Sequence, residues 1–422
     1  MAKPRAHRLL FASVAGVAQR LAQVLASLVI LPLALHGLGV AGFGVWGAAT
    51  SLLSLAGMLS FGLGAALVAL LPRALAVGAH EDGRAQIAAA LFGGAALAAG
   101  VLVGGGVVLL GGWARLSPPF LIAAVALIVN IPLSIGPDIW FGLQKGHVAA
   151  LWALVQTVLG LAGLVAGVGL GAGVVALVAV FYGALLLANA GCLAHVLLAH
   201  RHLRPSGLPP RAVLGAVFGK SGLFSLATAA AMGIWVFDNI MALSWLGPAA
   251  SAQMAVALRV CTTATGLLWV FTQPFWPGFA DALAVGDHGW VRKMLWRGLA
   301  ATLGLSVGGA LLIVLFGRPV LIFWLHSDLH LGMAMMWAMA GWIVALTLTN
   351  VPGVLLSAAH RIWPQIWVYG VAALLGFGAK YLLAPRFGVV GVLAVAPVVW
   401  VLWTAPMLGW FTLRTLRRMD EN

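Results

Sequence analysis

This sequence specifies an all-α integral membrane protein of about 12 transmembrane helices, arranged as two parallel-repeat six-helix bundles. Composition is the first observation behind that fold class. Hydrophobic residues make up 63% of the 422 and charged residues only 8%, with a mean hydropathy of +1.08. Soluble domains carry about 25% charged residues, so this composition excludes a water-soluble enzyme or binding module. The second observation is a duplication. Ala74-Leu75-Ala76-Val77-Gly78-Ala79-His80 returns 208 residues later as Ala282-Leu283-Ala284-Val285-Gly286-Asp287-His288. At the same offset Leu35 falls on Leu243, Leu38-Gly39 on Leu246-Gly247, and Arg84 on Arg292. A period near half the chain marks two structural halves, not a solenoid. The third observation is the placement of basic residues.

Each bundle follows from its apolar runs, since a spanning helix needs about 20 mainly apolar residues. The first half offers runs at 9–33, 43–71, 86–112, 120–141, 148–169 and 174–198. The second offers 216–245, 251–280, 293–317, 331–357, 365–384 and 390–412. With the N-terminus in the cytoplasm, 17 of the 23 Lys and Arg residues lie on or near cytoplasmic segments. Arg115, Arg318, Lys380 and Arg386 fall near the other face, and Arg20 and Arg259 lie within spans. This positive-inside partition puts both termini in the cytoplasm. The net charge of +14 is mostly this topological signal, suited to an anionic leaflet of membrane lipids, and calls for no nucleic-acid partner.

Six spans per half return the chain to its starting side, so the halves are parallel repeats about an axis along the membrane normal. The expected organisation is 1–198 as the first bundle, 199–214 as a cytoplasmic linker and 215–422 as the second bundle. The linker contains Pro205, Pro209 and Pro210. Asn130-Ile131-Pro132 and Asn350-Val351-Pro352 lie in the fourth span of each half, where proline bends a helix. Gly163-x-x-x-Gly167-x-x-x-Gly171 places small residues on one face for close helix packing. No strand precedes it and no Gly-Lys-Ser/Thr follows, so it is not a phosphate-binding loop.

Ionisable groups inside spans are costly, and they are the first candidates for function. Arg20 lies about eleven residues into the first span, about 16 Å deep at 1.5 Å per residue. Gln19 and Gln23 accompany it, and Arg20 and Gln23 at i, i+3 share a face. A guanidinium at that depth fits an anion-binding or wet-cavity role. Arg259, in the eighth span, has Asp238 of the antiparallel seventh span as its expected partner, with Asn239 beside it as a polar candidate. Asp138 lies near the cytoplasmic end of its helix. His195, His200 and His202 cluster by the linker, but neither carboxylate nor Cys completes a metal set there. Cys192 and Cys261 sit in apolar runs and read as packing residues. No Ser-His-Asp, paired-carboxylate or Cys-His arrangement is present, and no cofactor motif. The expectation is therefore no catalytic residues, no metal, no cofactor and no enzyme activity.

Several motifs carry a family resemblance across nearly the whole chain. Gly42-Phe43-Gly44-Val45-Trp46, followed by Ser60-Phe61-Gly62-Leu63-Gly64, resembles polysaccharide flippases of the multidrug/oligosaccharidyl-lipid/polysaccharide (MOP) exporter superfamily. Phe237-Asp238-Asn239, Leu246-Gly247-Pro248 and Ala255-x-Ala257-Leu258-Arg259 are similar to that family's seventh-to-eighth span region. Phe141-Gly142-Leu143-Gln144-Lys145 and Arg386-Phe387-Gly388-Val389-Val390-Gly391-Val392 resemble its loop after the fourth span and its entry to the last. The resemblance implies two bundles around a central cavity and alternating access in a bacterial inner membrane. Its implied substrate is an undecaprenyl-diphosphate-linked oligosaccharide for O-antigen, lipopolysaccharide or exopolysaccharide synthesis, with other polysaccharide-assembly proteins as partners. Ser60 replaces the acid of many relatives, which removes that position as a borrowed ion-coupling site. On this reading Arg20, Arg259, Gln19, Gln23, Asp238 and Asn239 are the substrate-binding candidates, and Trp235, Trp269 and Trp276 either stack on sugars or sit at the lipid interface. The competing classes are a cation-coupled multidrug antiporter of the same superfamily, a membrane-embedded glycosyltransferase or polymerase, and a non-transporting scaffold.

Overall fold

The computed structural model describes residues 3–55, 62–76, 78–110, 116–205, 207–272, 275–327, 329, 331–359 and 361–420. Ser60, Phe61, Val77 and Arg115 lie outside that set, as do the side chains of Lys220 and Thr228. Every element among the described residues is helical. In chain order these are α1 Lys3–Ser51, α2 Leu63–Ala76, α3 His80–Leu110, α4 Pro118–Leu133, α5 Ile135–Gly142, α6 Gly146–Gly169 and α7 Val174–Ala199. A short 3-10 turn Arg201–Leu203 leads to α8 Arg211–Met232, α9 Asp238–Met241, α10 Pro248–Thr272, α11 Phe275–Ala284, α12 His288–Leu325, α13 Met333–Ala358, α14 Ile362–Val399 and α15 Ala405–Asp420.

Among the described residues, eight helical stretches are long and apolar enough to cross a membrane. The other expected spans are accounted for by kinks and breaks. The runs 365–384 and 390–412 form one 58-residue stretch, Ile362–Met419, too long for one crossing and bent at Gly388 (φ 58°). The runs expected at 43–71 and 216–245 are each interrupted, and the run at 251–280 is helical throughout its described residues as α10 and α11. The first changes to a 3-10 turn at Leu52–Leu55 and the second leaves helical geometry after Met232.

The chain forms two compact units, Met1–Leu226 and Ala227–Asn422. In unit 1, α6 packs on α1 and α7, α4 on α7, and α2 on α3 and α5. The Gly163 and Gly167 stripe works as a close-approach surface. A Cβ on either glycine would lie 2.5 Å from Val180 or Leu177 of α7. In unit 2, α13 is the central helix, packed against α10, α11, α12, α14 and α15. It is also the most deeply buried of the spanning stretches.

The duplication is visible in both cores. Leu71, Ile87 and Ile135 join one apolar cluster in unit 1. Phe279, Leu295 and Leu355, their counterparts by the repeat offsets, join one in unit 2. The repeated heptapeptide builds the same helix ending twice. Gly78 (φ 75°) and Gly286 (φ 74°) take the left-handed conformation. Ala79 N–H then donates to Ala74 O at 2.9 Å, and Asp287 N–H to Ala282 O at 2.9 Å. These six-to-one bonds close a Schellman turn, satisfy a terminal carbonyl and start the next helix at His80 or His288. Replacing either glycine with alanine should therefore cost about 1–2 kcal/mol, similar in the two copies, because a Cβ is strained at this φ. Thermal unfolding of G78A and G286A in detergent checks this, and a cost in only one copy would break the equivalence. The proline echo is less symmetric: α4 ends just after Pro132, whereas α13 continues past Pro352 to Ala358.

Candidate functional site in the broken helix of the second unit

The break after Met232 is where polar groups converge inside unit 2. Residues 233–237 form turns, a single α-turn follows at Asp238–Met241, and a π-helical turn Ala242–Leu246 ends at Gly247 (φ 93°). Asp238 N–H bonds to Trp235 O at 3.1 Å, so the carbonyl of Ile234 loses its α-helical donor. Within a membrane such a freed group must find a partner inside the protein.

Lys380 of α14 supplies it. Its Nζ donates to Ile234 O and to Asp238 Oδ1, the latter at 2.5 Å. Both charged side chains are 1% exposed. The ammonium thus closes the helix break and neutralises the acid together. Glycines permit the approach: a Cβ on Gly376 would stand 2.7 Å from Ile234, and one on Gly233 would stand 3.1 Å from Ala373. Ala373, Gly376 and Lys380, spaced i, i+3, i+7, present one face of α14 to the break. The second carboxylate oxygen, Asp238 Oδ2, is buried with no partner among the described residues.

This corrects the expected pairing. Asp238 does not bond Arg259; its partner is Lys380. Lys380, placed by sequence only as a charge near the far face, is an interior residue. A signal for it was present, because Lys380 lies inside the apolar run 365–384, about 22 Å from its start, while Arg386 just beyond can serve as the interfacial anchor. Asn239 is 4% exposed, and its carbonyl accepts from Ser251 Oγ at 3.3 Å. Gln253 is tied to Leu329 O at 2.8 Å.

An aromatic cluster lines the same break. Trp235 meets Trp342 edge-on at 5.8 Å between ring centroids and Trp400 at 5.9 Å. Tyr369 stacks on Trp400 at 5.6 Å, and Trp400 Nε1 donates to Thr349 Oγ1 at 2.7 Å. Trp342 Nε1 is buried without a partner among the described residues. Trp235 is therefore a half-buried packing residue in this structure, whereas Trp269 and Trp276 are exposed.

The remaining candidates lie elsewhere. Arg20 and Gln23 are exposed on α1 and Gln19 is half-buried. Arg259 is exposed on α10. Neither arginine makes an ion pair among the described residues. Arg20 and Arg259 are thus exposed cationic side chains on helices α1 and α10, in separate units.

No protein-family model matches this chain, and no curated protein matches it by sequence. Solved structures do match. A multidrug resistance MATE family transporter of the MOP superfamily, in its inward-facing conformation, superposes with a TM-score of 0.77 at 13% identity, covering 97% of this chain and 99% of its own. A MOP superfamily transporter from Pyrococcus furiosus, described as having a binding pocket of reverse polarity that suggests a different function, gives 0.70 at 12% identity, covering 98% and 96%. A variant of a Vibrio cholerae MATE transporter gives 0.67 at 16% identity, covering 99% and 97%. Over nearly its entire length this multi-pass membrane protein has the all-helical fold of MOP superfamily transporters.

Proposed function

We propose that this protein is a transporter that flips undecaprenyl-diphosphate-linked oligosaccharide repeat units across the bacterial inner membrane by alternating access. The observation that carries the reading is the pair of exposed intramembrane arginines, Arg20 and Arg259, on a MOP-type fold. A pump for cationic drugs needs accessible carboxylates deep in its helices. Here Asp238 is already neutralised by Lys380, and Asp138, half-buried on α5, lies at the end of the span Pro118–Gly142 and not deep within it. A lipid diphosphate needs the opposite polarity, and guanidinium groups bind phosphate bidentately. Gln19, Gln23 and Asn239 add hydrogen-bonding groups, and the sequence motifs of the polysaccharide flippases point the same way.

Deletion of the gene tests the class. Lipid-linked repeat units should accumulate with their sugars on the cytoplasmic side, protected in intact spheroplasts from an externally added glycan-oxidising probe. Sensitivity to cationic dyes with surface polysaccharide intact would establish the multidrug antiporter instead.

A further inference from the structure

Four histidines come together at the end of unit 1 that the charge pattern assigns to the cytoplasm, outside the site described above. His80 opens α3, His195 lies on the last turn of α7, His200 caps α7, and His202 sits in the 3-10 turn that begins the linker. Their rings form a chain. His80 meets His202 edge-on at 5.5 Å, His202 meets His200 at 5.7 Å, and Trp140 lies between His200 at 5.5 Å and His195 at 5.0 Å.

The contact between Lys145 and His200 requires one protonation state of that ring. Lys145 Nζ lies 3.3 Å from His200 Nε2. An ammonium only donates, so His200 Nε2 accepts and the ring is neutral with its proton on Nδ1. Trp152 Nε1 donates to His195 Nδ1 at 3.1 Å and fixes that ring beside Trp140. The backbone fixes Lys145 in this position. Gln144 takes a left-handed conformation (φ 58°), and Lys145 N–H closes a turn onto Trp140 O at 2.9 Å. Lys145 Nζ also lies 5.7 Å from the centre of the Trp140 ring. Just beyond, Leu203 is 2% exposed and fills the same apolar core as Leu71, Ile87 and Trp140.

We propose that this imidazole chain is a pH-sensitive latch that holds the start of the linker on unit 1 when the cytoplasm is neutral and releases it on acidification. Protonated His200 can no longer accept from Lys145 and faces it as a like charge. Burial, Lys145, His202 and His195, in that order, hold the His200 pKa below its ordinary 6.5. The sign follows from this lowering. The docked state favours the neutral ring and the released state binds the extra proton, so docking is secure above 6.5 and weakens as pH falls below it. The other charged groups on the surrounding elements do not reverse this. Glu81 and Asp82 on α3 are exposed, with Arg84 on the following turn. Asp138 is on α5, His147 on α6 and Arg201 beside His200, while Arg204 is tied through Nε to Leu197 O at 2.7 Å.

The test is hydrogen–deuterium exchange of the full-length protein in nanodiscs, corrected for intrinsic rates, near pH 7.5 and near pH 5.5. The amides of His200, Leu203 and Arg204 bond to Val196, His200 and Arg201. Their exchange should become roughly fivefold faster at the lower pH. His200→Gln keeps an acceptor for Lys145 and cannot titrate, so its protection should stay flat. Unchanged protection of the wild-type protein, or an equal rise in H200Q, would overturn the latch. Nitrogen NMR of labelled histidine gives a second reading independent of any variant. His200 should carry its proton on Nδ1 near neutral pH and titrate below its ordinary 6.5, and a proton on Nε2 would equally overturn it.

Discussion

Lys380→Met should lower the unfolding free energy by about 3–5 kcal/mol, the usual cost of leaving one partner of a buried ion pair uncompensated. The variant strands the Asp238 carboxylate, whose other oxygen already lacks a protein partner, and frees the carbonyl of Ile234 within the helix break. Asp238→Asn alone should cost less, since an amide oxygen still accepts from the ammonium. The double variant D238N/K380M should recover part of the loss, because no charge then remains buried. Tryptophan fluorescence during thermal unfolding in detergent reads all three. A neutral K380M would mean that the ammonium does not hold the broken helix to α14.

Arg20→Ala should abolish export of the lipid-linked oligosaccharide while the protein remains inserted and folded. Losing a desolvated guanidinium–phosphate contact costs about 2–5 kcal/mol, at least roughly a 30-fold loss of affinity. Arg20→Lys keeps the charge but loses the bidentate geometry, and should retain intermediate export. Arg20 is exposed and bonded to no acid among the described residues, so its removal should leave the unfolding midpoint nearly unchanged. Normal surface polysaccharide in a strain carrying only R20A would remove Arg20 from the substrate path.

The two residues separate function from architecture by environment. Lys380 is buried and doubly bonded, so its loss is felt first in stability. Arg20 is exposed along an apolar helix and makes no ion pair among the described residues, so its loss should be felt first in function. On the proposed function, the difference between the halves, Asp238 opposite Ile30 and Arg20 opposite Thr228, divides into one structural and one functional asymmetry.

Much of this was legible in the chain because it depends on local chemistry. Apolar run length marks the helices, since lipid offers the backbone no hydrogen bonds. The repeated heptapeptide encodes a helix ending because only glycine takes that φ without strain, and the turn forms identically wherever it recurs. The close packing of α6 on α7 follows from the glycine stripe, which leaves no side chain to keep them apart. What the sequence could not rank was partnership across distance. Asp238 had a plausible cation 21 positions away in Arg259 and its actual one 142 positions away in Lys380. Choosing between them required knowing that the seventh span breaks at Ile234, which face of α14 meets that break, and that Gly376 lets the two backbones approach. The imidazole chain has the same character: four histidines from three elements become one array only when Trp140 and Leu203 pack into a shared core. The pattern of apolar runs and glycines by itself determined the helices and their duplication. The tertiary structure alone decided which buried charges and rings face one another, because electrostatic and hydrogen-bond partnership depends on ångström-scale approach that no one-dimensional pattern specifies.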